Sequence, residues 1–139
     1  MISLEQARTI VSAARAKGRE LALKPLTVVV LDAGGHIIAL EREDGASIGR
    51  PQIAQGKAAG ALAMGLSSRA LGDMAIERPQ FLAALSAAWE GKLIPAAGGV
   101  LVRDSDGNLV GAVGITGDLS DKDEEAAIAG VQAAGFTAG

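Results

Sequence analysis

Two pairs of β-type runs, each joined by a turn of only a few residues, limit this chain more than any other feature. Thr27 to Leu31 is β-branched and apolar on both faces, as a central strand is, and Ile37 to Arg42 reads as its partner. Between them Gly34 and Gly35 are expected to supply the positive φ values of a tight turn. Further on, Gly99 to Arg103 and Asn108 to Gly117 alternate with period two about the turn Asp104-Ser105-Asp106-Gly107. Parallel neighbours need a crossover of a dozen or more residues, so both pairs are antiparallel. A doubly wound nucleotide-binding fold is therefore excluded, and an α+β architecture follows: a mainly antiparallel sheet built from two hairpins and flanked by helices.

The remaining segments carry helical period. Ser3 and Gln6 form a capping box ahead of Leu4, Ala7, Val11 and Ala14, which share one face of a helix ending near Gly18. From Ile48 to Leu66 the chain is small and apolar, with Ile53, Lys57, Gly60 or Ala61, and Met64 recurring every three or four residues. Ser67-Ser68 caps a short helix, and Arg78 to Trp89 makes another, with Pro79 tolerated in its first turn. Ser120 with Asp123 is expected to cap a last helix with the apolar face Ala127, Ile128, Val131 and Ala134.

A length of 139 residues fits one domain spanning 1–139. The hydrophobic fraction, 49% with only 2% aromatic, exceeds what a small monomer needs to hide, which predicts contact with other subunits. Charges or glycines interrupt every apolar run, so no membrane span is expected, and the N-terminus lacks the basic head and apolar run of a secretory signal. The absence of cysteine excludes disulfides, iron-sulfur clusters and cysteine-ligated zinc, and fits a cytoplasmic location. A net charge of −3 with only Trp89, Phe81 and Phe136 as aromatics excludes a nucleic-acid partner.

Few residues can carry chemistry. On the last strand Leu109, Gly111, Val113 and Ile115 face one way, while Val110, Ala112, Gly114 and Thr116 face the other. That second face narrows almost to bare backbone, which marks a close approach by a ligand bonded to exposed amides and Thr116, or by a tightly packed helix or subunit. Lys57 lies on an apolar helix face, where its ammonium requires a substrate carboxylate, an internal acid or a route to water. His36 is the sole imidazole, so a histidine-ligated haem or a histidine general base must use it. No serine sits in a nucleophile elbow. Asp104 to Asn108 resembles a calcium loop, yet Ile115 stands where the closing glutamate belongs. The acids Asp118, Asp121, Asp123, Glu124 and Glu125 are explained by the dipole of the helix they open, so no metal site is expected.

Taken in order, Leu31 to Ala46, Lys57-Ala58, Gly98-Gly99, Gly111 to Gly117 and Asp123-Glu124 resemble the GlcG/HbpS family, which includes glycolate-locus proteins, haem-binding proteins and the C-terminal domain of PduO-type corrinoid adenosyltransferases. The chain departs from that pattern at Leu101, where many relatives carry proline, and in having no histidine in its first helix. The resemblance implies a profilin-like sheet, a homo-oligomer, often an octamer, and a small-molecule ligand, haem or an organic acid. The glycine-lined strand face and Lys57 place the expected site near Gly98, Gly99, Lys57, Gly114 and Thr116. The alternative is a catabolic hydrolase or tautomerase in which Lys57, Arg42 or Arg50 holds a carboxylate while His36 or Asp44 moves a proton. A third possibility is an assembly domain without a ligand.

Overall fold

The computed structural model describes residues 1–139. Along the chain it has α1 (Leu4–Glu20), β1 (Thr27–Asp32), β2 (Ile37–Arg42), α2 (Arg50–Met64), α3 (Ser68–Glu77), α4 (Pro79–Ala88), β3 (Gly99–Arg103), β4 (Leu109–Thr116), α5 (Ser120–Ala133) and the short β5 (Thr137–Ala138). Both hairpins form, and they join through β1 and β4 into one antiparallel sheet of order β2-β1-β4-β3-β5. The α+β architecture follows from those local turns.

Each turn is held by an aspartate. The Asp32 carboxylate accepts the N–H groups of Gly34 and His36 at 2.9 Å, and only Gly35, at φ +85°, takes the left-handed conformation expected of both glycines. In the second hairpin Asp104 accepts the N–H groups of Asp106 and Asn108, again at 2.9 Å. Val102 pairs with Gly111 and Arg103 with Leu109, so Val110 is an extra residue. That bulge turns Val110 toward the α1–α5 core instead of the face that strict alternation assigns to it.

Helices cover both faces. Val28, Val30, Val102, Val113 and Ile115 meet α1 and α5 through Ile10, Val11, Ala126, Ala127 and Val131. On the opposite face Val29, Leu31 and Ala112 pack against Ala54 and Ala58 of α2. The capping box of α1 is present, with Ser3 and Gln6 exchanging two hydrogen bonds of 2.9 and 3.0 Å. The helix runs past Gly18 to Glu20, because Gly18 is a contact point for Leu26 rather than a stop. At α5 the expected cap is replaced: Leu119 occupies the N-cap without a side-chain bond, and Asp123 turns inward. No helix is long and apolar enough to cross a membrane.

Candidate functional site

The glycine-lined face of β4 does receive a close approach, and the approaching body is α2. A Cβ on Gly114 would collide with the carbonyl oxygen of Ala54, with the Ala58 methyl 3.1 Å away. One on Gly99 would strike the carbonyl oxygen of Lys57 and come within 2.8 Å of Ser68 Oγ. A Cβ on Gly98, at φ +127°, would collide with the Ile115 carbonyl oxygen and lie 2.9 Å from Lys57 Nζ. Gly99 and Gly114 thus let helix backbone sit directly on the sheet, and Gly98 makes room for the Lys57 side chain, so of the two occupants that a bare strand face allows the packed helix is the one in contact here.

That contact carries Lys57 into the interior. Its ammonium donates to the Ile115 carbonyl at 2.9 Å and to Asp123 Oδ2 at 3.3 Å, and both side chains are buried. The other Asp123 oxygen accepts the N–H of Asp118 at 3.0 Å. Burial pushes the Lys57 ammonium below the usual lysine range, opposed by the charge of Asp123 and reinforced by that of Arg50. Burial likewise raises the Asp123 carboxyl, with Lys57 acting against it. The anion that Lys57 requires is therefore internal. In the sequence Asp123 reads as a helix cap, and the only signal for its role is the unmet charge of Lys57 itself.

Of the remaining anticipated residues, Arg50 joins this cluster, donating from Nη1 to the Thr116 hydroxyl at 2.8 Å. Arg42 lies at the same end of the sheet, in register with Thr27, and donates to the Ala46 carbonyl at 2.8 Å. Asp44 follows β2 on an exposed segment. His36 stands at the other end: β1 from Thr27 to Asp32 separates it from Arg50 and Thr116 by ~17 Å at strand rise. It is 75% exposed, with Asp32 as its nearest acid at 3.7 Å. One chain therefore does not bring His36 to a carboxylate held by Lys57 or Arg50, and that acid–base arrangement is not assembled within it.

A shallow hollow of about 830 Å³ lies on α1 along Leu4, Arg8 and Ser12, and other open concavities lie on the outer side of α2. Two adjoining depressions of about 500 Å³ each share Gly35, Ala59 and Lys92. The first is lined by Leu62, Ala63, Ala88 and Trp89, and the second by Gln52, Gln55 and Ile94. His36 lines a separate hollow of about 340 Å³ with Ile2, Asp32 and Val110. The first groove and the His36 hollow meet at the turn residues Ala33 and Gly34. Sequence reasoning missed this groove, because its lining comes from three segments distant in the chain, and a lone Trp89 signals nothing by itself.

The model of a family described as haem degrading protein HbpS-like matches residues 2–132. A solved structure described as a PduOC:heme complex is 27% identical, covers 99% of this chain and 96% of its own, and superposes with a TM-score of 0.85. An HbpS double mutant from Streptomyces reticuli is 25% identical over 94% of this chain and 84% of its own, with a TM-score of 0.79. The protein ORFY of Klebsiella pneumoniae, at 24% identity, shares the fold over 96% of this chain and 90% of its own at a TM-score of 0.87. No curated protein matches by sequence. Since the family model spans nearly the whole chain, this chain belongs to the HbpS-like family.

Proposed function

We propose that this protein binds haem as a homo-oligomer of a single domain, 1–139, in the cytoplasm. The observation that carries the reading is the likeness, over 99% of the chain, to a domain whose crystal structure is described as a haem complex. The groove between the β1–β2 turn, α2 and the segment after α4 supports it. Its volume of about 500 Å³ falls within the range of small-molecule sites, and its lining of Ala59, Leu62, Ala63 and Trp89 suits a flat apolar ring, with Lys92 as a cation at the rim. His36, the chain's only imidazole, carries the nitrogen that would hold the iron, and it stands across the Ala33–Gly34 turn from that groove. When bound, the iron porphyrin supplies the redox chemistry; the chain's own residues supply the apolar walls and the cation.

Assembly is supported by α3 and α4. Ile76 is 82% exposed, Phe81 and Trp89 are also exposed, and α4 buries only Leu82. An octamer is the size that the family resemblance suggests.

Titration with hemin, followed in the Soret region, tests the reading. A saturable spectral change is expected, altered in position by His36→Ala and weakened by Trp89→Ala. A spectrum that never saturates and matches free hemin in buffer refutes haem binding.

A further inference from the structure

We infer that the end of the sheet beneath the N-terminus of α2 is a carboxylate-binding site formed by Thr27, Thr116, Arg50 and Arg42. The inference deepens the ligand-binding reading, and rests on it only where the carboxylate belongs to haem.

Strand register gathers these side chains. Thr27 pairs with Thr116 on one side and with Arg42 on the other, so the three form a row across β4, β1 and β2. Val29 and Leu31, which alternate with Thr27, pack against α2, so the row faces α2. Directly opposed residues hold their Cβ atoms about 5 Å apart, close enough for two hydroxyls to serve one ligand. Arg50, the first residue of α2, already reaches the row through Thr116.

Charge at this end is unbalanced. Neither Arg42 nor Arg50 makes an ion pair; each donates instead to a neutral oxygen, that of Ala46 or Thr116. The nearby acids do not balance it: Asp123 holds Lys57, Glu43 holds Arg15 and Arg19, and Asp44 is exposed and pairs with neither arginine. The N-terminus of the 15-residue α2 adds its positive dipole end, with no acid in its first turn and no side-chain cap.

An independent observation marks the same place. Thr27 is fully buried, and its hydroxyl is the one buried side-chain polar atom in the protein without a hydrogen-bond partner. Such a group is a standing cost to the fold unless a partner arrives. A carboxylate meets every element of this arrangement. It accepts from the Thr27 and Thr116 hydroxyls, matches the guanidinium fork, and replaces two bonds to neutral oxygens by charge-assisted ones. Lys57 is not a ligand here, because Ile115 and Asp123 occupy it.

The full-length protein is titrated with benzoate and with succinate by NMR, and in parallel with hemin and hemin dimethyl ester, whose propionates are blocked. Saturable shifts at the Thr27 and Thr116 amides with a free acid identify a small organic acid as the source. Tighter binding of hemin than of its ester, with the gap closed in Arg50→Lys, identifies a propionate. In either case Thr27→Val is expected to raise Tm, since it removes the unpaired hydroxyl, and to weaken the carboxylate by about tenfold. Arg50→Lys is expected to weaken it through loss of the bidentate fork. Absence of both signals, or equal affinity in Thr27→Val, Arg50→Lys and the unaltered protein, overturns the site. Hemin that binds all three alike and is indifferent to esterification, with no shift of the Thr27 and Thr116 amides by either free acid, overturns the site while leaving the haem reading intact. Acid binding in a protein that ignores hemin has the opposite consequence.

Discussion

Lys57 shows how one side chain can fix the relation between two layers. It comes from α2 on one face of the sheet, bonds the carbonyl of Ile115 in β4, and meets Asp123 of α5, the helix on the other face. The pair gains little over an apolar substitute, because two charges leave water to make it, but removing one partner strands the other. Lys57→Met is therefore expected to cost ~3–5 kcal/mol in urea unfolding. Lys57→Met combined with Asp123→Asn is expected to cost less than the two single changes summed, since the neutral amide can still accept from Asp118. The sequence showed that Lys57 needed an anion, since an ammonium on an apolar face is otherwise unsatisfied. It did not show which, because Asp118, Asp121 and Asp123 all read as acids opening a helix, and only long-range folding turns one of them inward.

At the scale of elements, α2 and β4 are joined through missing side chains. The β-branched run with its Gly34-Gly35 turn, and the period-two runs about Asp104–Gly107, made both hairpins legible, because each depends on residues close in sequence. The pairing of β1 with β4 was not legible, nor was the two-residue β5, since nothing local encodes either. The bare face of β4 is legible as a place of close approach but its occupant is not: Gly114 reads the same in sequence whether a helix backbone or a small molecule lies over it. Gly114→Ala is expected to destabilise the fold by about 1–3 kcal/mol through overpacking against Ala54, measured as a lowered Tm. A ligand role for Gly114 would instead leave Tm unchanged and reduce affinity alone.

For the whole molecule, the α3–α4 hairpin is the least finished surface. Phe81 is 38% exposed with the Arg78 guanidinium over its ring, 4.3 Å from the centroid, and Ile76 lies almost free in water. Light scattering on the eluting protein is expected to give the mass of an assembly, and Ile76→Ser with Phe81→Ser to reduce it without lowering the far-UV helical signal. An unaltered chain that elutes with the mass of one copy removes the assembly reading. Trp89 stands beside this hairpin as the only indole, 44% exposed. Its emission reports the wetness of an outer rim and is nearly blind to the interior. Denaturation followed by intrinsic fluorescence moves it merely from half-wet to wet and understates the loss of structure. A neighbouring copy or a bound chromophore, by contrast, changes its colour or brightness while the fold stays intact.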